Sequence, residues 1–180
     1  MASEAAELRE DGRCEMIPFR RVLQNITTGW WHVSRTFNGD VQAELTKAVR
    51  FAEQNTSAEI RVVVEGSLRC LDVIRGMSVR ERALDVFGEE RVWDTEENNG
   101  ILLYLLVSER DAEIVVDRGF NQVVSSEQWE EVCLQLERDS KQQGLAKGIS
   151  QAIRQLGTIA SGVYPSVGGA NELSDEIVVR

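Results

Sequence analysis

The spacing of apolar residues divides the middle of the chain into helices and strands. From 38 to 52, apolar residues recur every three or four positions behind Asn38 and Asp40, and either of these two residues can cap a helix. The segments 60–64 and 101–107 are instead nearly continuous apolar runs, the first ended by Glu65-Gly66 and the second preceded by Asn99-Gly100. Runs of this length predict strands that are buried on both faces of a sheet.

The remaining elements are predicted from caps and turns. A helix follows the capping box Ser78-x-x-Glu81 and runs to about Trp93. A strand over 112–116 follows a tight polar turn. Two helices come after it, one capped by Ser125 or Ser126 and one that begins near Leu145. This order predicts an α/β domain around a small mixed sheet. Its first two strands should be parallel, and its last two should form an antiparallel hairpin.

Length and polarity give the domain boundaries. A chain of 180 residues fits one domain. The first segment is rich in acidic and small residues, and the last contains Gly168-Gly169 among polar residues, so neither has the apolar periodicity of a packed element. We predict a flexible acidic leader over 1–15, a basic aromatic arm over 16–37, the α/β domain over 38–165 and a flexible tail over 166–180.

Composition excludes several classes of function. Acidic residues outnumber Lys and Arg by 30 to 20, and a phosphate backbone requires the opposite balance, so we exclude nucleic acid as a partner. The 3 cysteines are widely spaced and His32 is the single histidine, which excludes the common zinc sites. No apolar signal region opens the chain, and the run from Ile101 to Val107 is far shorter than the roughly 20 residues of a membrane span. We therefore expect a cytoplasmic protein with reduced thiols.

Three loops of the predicted sheet should meet at one edge. If the first two strands are neighbours, the loops that precede them adjoin the exit of the third strand at 117–119. This edge is polar, with the side chains of Glu59, Asp94, Glu96, Glu97, Asn98, Asn99, Asp117 and Arg118. Carboxylate and amide oxygens are the ligands of calcium and magnesium, so we predict a cation site whose candidate ligands are Glu59, Asp94, Asn98, Asn99 and Asp117. We predict no cofactor that the protein requires.

An alternative interpretation makes the same edge ordinary surface. In this interpretation, residues 94–97 form a solvated turn and Asn99-Gly100 forms a backbone turn. Asp117 and Arg118 form a local ion pair, and Gly119 is needed for a positive φ. The Glu59 side chain is exposed or paired with Arg61 or Arg118.

The predicted arm differs in charge from the rest of the chain. From Met16 to Gly39 there is no acidic residue, and the candidate interaction residues are Arg20, Arg21, Trp30, Trp31 and Arg35. Basic aromatic amphipathic segments of this kind bind anionic membranes or protein partners. In the alternative interpretation, the two tryptophans clamp the arm onto the domain and the arginines pair with surface acids.

Three motifs together resemble the TPM-domain family over roughly residues 38–163. They are Ser57-Ala58-Glu59-Ile60-Arg61-Val62-Val63-Val64, Asn98-Asn99-Gly100-Ile101-Leu102-Leu103, and Asp117-Arg118-Gly119-Phe120. The resemblance implies a three-layer α/β/α sandwich in a Rossmann-like arrangement. It also implies a role in the assembly or maintenance of membrane-associated proteins, with weak acid phosphatase activity in some branches and calcium binding through acidic loops in others. This chain resembles the untethered branch of the family, whose members lack a signal and a membrane anchor.

The chain departs from the family pattern at the predicted edge. Where the family commonly has Asp-Asn-Gly before the second strand, this chain has Asn98-Asn99-Gly100, and Phe120-Asn121-Gln122 stands where many members have an acid. Fewer carboxylates predict weaker binding of a divalent cation.

Two functions follow as hypotheses. The first is a non-enzymatic interaction domain that binds a protein partner, with peripheral contact to a membrane through the arm. The second is a calcium-binding module or a weak phosphatase that depends on a divalent metal, in which Glu59 or Asp117 is the base for a metal-activated water.

Overall fold

The computed structural model of the protein describes residues 21, 25, 33, 35–165 and 171–180. The helices are α1 (Gly39–Glu53), α2 (Cys70–Ile74), α3 (Val79–Glu89), α4 (Ser126–Gln143) and α5 (Leu145–Val163), with a 3-10 helix at Arg118–Phe120. The strands are β1 (Ile60–Glu65), β2 (Ile101–Leu106), β3 (Asp111–Val116) and β4 (Val178–Val179).

The four strands form one mixed sheet in the order β3-β2-β1-β4. β1 and β2 are parallel neighbours in a register that pairs Ile60 with Ile101. β3 returns antiparallel to β2 and pairs Ile114 with Leu103. The predicted α/β fold with a parallel pair and an antiparallel hairpin is confirmed.

Helices cover both faces of the sheet. Val62 and Val64 of β1 pack in one buried cluster with residues of α1, α4 and α5, whereas Val63 packs in a second cluster with residues of α2 and α3. Alternate side chains of a strand point to opposite faces, so these helices lie on opposite sides of the sheet. All six residues of β2 are buried for the same reason, which explains why its sequence is continuously apolar.

Caps set the boundaries of the first and third helices. Asn38 caps α1, because its side-chain oxygen accepts the Val41 amide at 3.0 Å. The predicted capping box of Ser78 and Glu81 opens α3. This helix ends at Glu89 rather than near Trp93, because Arg91 adopts a φ of 55° that a right-handed helix cannot continue through.

Three short elements were missing from the prediction: α2, β4 and the 3-10 helix at Arg118–Phe120. Residues 171–180, which we predicted to be part of a flexible tail, instead lie along the outer edge of β1. Ile177 is buried, and the Arg180 amide donates to the Val64 carbonyl at 3.0 Å. The predicted leader over 1–15 and residues 166–170 lie outside the described residues.

The described part of the arm packs on the domain. Arg21 donates to Glu109 at 2.7 Å, and the buried Asn25 side chain accepts the Leu68 amide at 2.8 Å. Phe37 is buried in the core cluster beside α1. These contacts favour the interpretation in which the arm is clamped to the domain. Of the other candidate interaction residues, Arg35 is exposed, and Arg20, Trp30 and Trp31 lie outside the described residues.

Within the part of the chain that the structure describes, no helix is both long enough and apolar enough to cross a membrane.

Candidate functional site

The three predicted loops meet at the edge where β1 and β2 begin. The Asp117 amide donates to the Gly100 carbonyl at 2.9 Å, and the Gly119 amide donates to the Asn98 carbonyl at 3.0 Å. The Asn99 side chain joins the loop before β1, because its Nδ2 donates to the Ser57 carbonyl at 2.9 Å. We refer to this group of residues, 57–59, 94–100 and 117–119, as the loop edge.

Two glycines allow these loops to approach closely. A Cβ on Gly100 would overlap the carbonyl oxygen of Val92, and a Cβ on Gly119 would overlap the Tyr164 hydroxyl. Gly119 is not among the glycines with a positive φ, so this part of the alternative interpretation is wrong. Gly119 is needed for space, because Asn98 and Tyr164 both pack against its backbone.

Asn99 and Asp117 each have a buried oxygen without a hydrogen-bond donor. Asn99 Oδ1 and Asp117 Oδ2 have no partner, although the other polar atom of each side chain is bonded. Asn99 Nδ2 donates to the Ser57 carbonyl and to Glu97 Oε2 at 3.2 Å, and both of these atoms only accept. This fixes the orientation of the Asn99 amide, since exchanging its N and O atoms would break both bonds. Asp117 Oδ1 accepts the amide of Arg118 at 2.7 Å.

Glu97 adds negative charge beside the Asn99 side chain. Its carboxylate accepts the Ser57 hydroxyl in a short hydrogen bond. Tyr164 lies close by, and the pKa of its hydroxyl is raised by burial and by the nearby charges of Glu97 and Asp117. The loop edge is therefore electronegative around Asn99 and Asp117.

The side chain of Arg118 bonds to Asn98 rather than to the Asp117 carboxylate. Its Nε and Nη2 donate to Asn98 Oδ1 at 2.9 and 2.6 Å. Asn98 adopts a φ of 53°, a conformation that Asn tolerates better than most residues. The Asn98 oxygen is thus occupied by a cationic side chain. The alternative interpretation was wrong to pair the Arg118 side chain with Asp117, because it makes a charged hydrogen bond to an amide oxygen instead.

Glu59 faces the segment 171–180. Its buried carboxylate accepts the amides of Glu172 and Leu173 at 3.1 and 3.2 Å, so the alternatives of an exposed side chain or an ion pair are wrong. Burial raises the pKa of Glu59, and the charges of Glu172 and Asp175 raise it further. Asp94, the remaining candidate ligand, is exposed.

Glu53 and residues 171–175 were not predicted from the sequence to be neighbours of Glu59. An open cleft of about 710 Å³ is lined by Arg50 and by the acidic residues Glu53, Glu59, Glu96, Glu97, Glu172 and Asp175. Burial raises the pKa of Glu53 to about 8, and the neighbouring charges of Glu59 and Asp175 add to the shift. A signal was present in the sequence, since Glu53 continues the apolar stripe of Leu45 and Val49 at a spacing of four.

The candidate ligands do not form one compact set of charged groups. Among residues 35–165, 171–180 and the few described before them, no three Cys, His, Asp or Glu side chains come together as a metal-binding group. What the loop edge offers a cation is one carboxylate oxygen and one amide oxygen, each buried and without a donor.

Comparison with known proteins identifies the family of the chain. Residues 33–159 match the family described as the TPM domain, so most of the chain is covered and it belongs to the TPM-domain family. A similar solved structure is the NMR structure of the BA42 protein from the psychrophilic bacterium Bizionia argentinensis, with a TM-score of 0.70 and 28% sequence identity. The similarity covers 79% of this chain and 94% of BA42. No curated protein matches the chain.

Proposed function

We propose that this TPM domain is a non-enzymatic interaction domain that binds one divalent cation, calcium or magnesium, at the loop edge. The observation that carries the proposal is the pair of buried oxygens, Asn99 Oδ1 and Asp117 Oδ2, that lack a donor. An unsatisfied buried acceptor costs about 1–3 kcal/mol, and more when it is charged. A cation held by both oxygens would remove this cost.

The chemistry of the loop edge suits a hard cation that retains water. Calcium and magnesium take oxygen ligands, and both accept waters in the positions that the protein leaves open. Asn99 and Asp117 would hold the ion, and Glu97 beside them would contribute long-range attraction. With so few protein ligands and the Arg118 guanidinium nearby, we expect a dissociation constant of about 10⁻⁴ to 10⁻³ M.

The geometry favours binding over phosphoester hydrolysis. A general base needs an oxygen free to take a proton from the attacking water. Both oxygens of Glu59 accept backbone amides, and one oxygen of Asp117 accepts the Arg118 amide. The remaining oxygen, Asp117 Oδ2, is the one we assign to the cation.

The partner in this proposal is a protein, and the role is the assembly or maintenance of membrane-associated proteins that the family resemblance implies. Direct contact of the arm with a membrane stays a prediction, because Trp30 and Trp31 lie outside the described residues.

An NMR titration tests the cation site. Calcium chloride, and then magnesium chloride, is added to the ¹⁵N-labelled protein to a concentration of about 10 mM, well above the dissociation constant expected for such a site. We expect saturable amide shifts at Ser57, 97–100 and 117–119, with the amides of α3 and α4 unmoved. An absence of shifts, or small shifts spread over all acidic surfaces, would contradict the proposal.

A further inference from the structure

Residues 171–180 lie as an extended segment along the outer edge of β1. The strand β4 within this segment adds to the sheet parallel to β1. Beyond β4, the Arg180 amide donates to the Val64 carbonyl at 3.0 Å, and the Arg180 carbonyl accepts the Gly66 amide at 2.7 Å. The domain thus binds the main chain of this segment in the way that a sheet edge binds an added strand.

Two charged side chains at the start of β1 also bind the main chain of the segment. The Glu59 carboxylate accepts the Glu172 and Leu173 amides at 3.1 and 3.2 Å. Arg61 Nη1 donates to the Ser174 and Glu176 carbonyls at 2.7 and 2.9 Å. A carboxylate that accepts consecutive amides and a guanidinium that donates to carbonyls recognise an extended backbone whatever its side chains.

Side-chain selectivity arises at two positions. Ile177 is buried in the core cluster on the α1 side of the sheet. Arg180 enters an acidic socket that it shares with Arg61 and Arg82. Its guanidinium lies 3.0 Å from Glu89, 3.7 Å from Glu90 and 4.0 Å from Glu65. We refer to the outer edge of β1, together with Glu59, Arg61 and the acidic socket, as the groove. Its contacts select an apolar residue and, three positions later, an arginine.

The residues that form the groove and the segment that fills it lie in different parts of the chain. Glu59, Arg61, Glu65, Glu89 and Glu90 lie within the part of the chain that matches the TPM domain, 33–159. The segment 171–180 lies beyond that part. Within the described structure it behaves as a ligand of the domain, held by main-chain bonds and ion pairs.

We propose that the outer edge of β1 is a peptide-binding groove and that residues 171–180 occupy it in cis. Its partner is a protein segment that binds in extended form, with an apolar residue at the Ile177 position and an arginine at the Arg180 position. The tethered segment has a high effective concentration, so a partner must displace it, and its release regulates the groove. This proposal is independent of the cation site.

Peptide binding to a variant with a weakened cis segment tests the proposal. The full-length chain carries Ile177→Asp and Arg180→Glu, and the probe is a fluorescent synthetic peptide with the native sequence of residues 171–180. Because competition from the cis segment is weakened, we expect the variant to bind the peptide at least about tenfold more tightly than the native chain. A peptide with glutamate in place of its arginine should bind the variant at least about tenfold more weakly, because it meets the acidic socket with a like charge.

Three results would overturn the proposal. The two chains could bind the peptide equally tightly, the variant could remain folded and not bind it, or the variant could bind the two peptides equally tightly. A second measurement uses the native chain, in case the variant fails to fold. The Arg180 amide should exchange its hydrogen at least about 100-fold faster than the Val107 amide, which bonds the Glu65 carbonyl, because the segment opens without unfolding the domain. Equal exchange rates would show that β4 is released only by global unfolding, and would overturn the proposal as well.

Discussion

Replacing Gly100 with alanine is expected to lower the free energy of unfolding by about 3 kcal/mol, at the upper end of the usual cost of overpacking. The added Cβ would overlap the Val92 carbonyl oxygen and lie 2.9 Å from Val92 Cγ1. Val92 cannot move away, because its side chain is fully buried in the cluster beneath α3. Urea unfolding followed by circular dichroism measures the effect.

Gly88 provides the matched control. It lies within α3, and a Cβ there would meet no atom within 4 Å. Gly88→Ala should therefore raise the free energy of unfolding by about 0.5–1 kcal/mol, because alanine loses less conformational entropy than glycine in a helix. Equal effects of the two substitutions would show that the close approach at Gly100 does not constrain the loop edge.

The second large effect is a loss of stability as the pH rises from about 4.5 to about 8. The pKa of Glu53 is about 8 in the folded protein, above its ordinary value, because the carboxyl is buried beside Glu59 and Asp175. Between these two pH values the folded state binds a proton that the unfolded state has lost, so the stabilisation present below pH 4.5 is lost as the pH rises through 8. At about 1.4 kcal/mol per pKa unit, the upper limit of the loss is about 5 kcal/mol. The raised pKa of Glu59 acts in the same direction.

Glu53→Gln isolates the contribution of Glu53 to the pH profile. Glutamine keeps an oxygen for the Ile60 amide, which Glu53 Oε1 accepts at 2.7 Å, and cannot ionise. Urea unfolding at pH 5 and pH 8 should show a much smaller loss in the variant, and the variant should be the more stable protein at pH 8. Carboxyls with lowered pKa values, such as Glu89, act below this window. Parallel profiles of the two proteins would contradict the assignment of the raised pKa to Glu53.

The sheet could be predicted because its signals are local. The runs that form β1 and β2 are buried on both faces, and the turn before β3 is polar, so the sequence patterns place all three strands to within one residue. The loop edge followed from topology alone, since parallel strands with a returning hairpin leave one arrangement of their ends.

The partners of the charged residues could not be predicted, because they depend on distant parts of the chain. Glu59 binds amides of a segment more than a hundred residues away. That segment contains a single short apolar run at 177–179, which is too short to indicate a strand, and β4 forms because β1 offers it an edge. The Arg118 side chain bonds to Asn98, whose backbone is left-handed, and no spacing in the sequence reveals that conformation.

The most direct test of the cation site is the calcium affinity of Asp117→Asn, measured by isothermal titration calorimetry. This substitution removes the one charged ligand and keeps the shape of the side chain, so we expect affinity to fall at least about tenfold. Asp85→Asn, at an exposed position of α3, removes the same charge outside the loop edge and should leave the affinity within about twofold, because salt screens the interactions of exposed charges. If Asp117→Asn binds calcium as tightly as the native protein, or if both variants lose affinity equally, the loop edge is not a cation site.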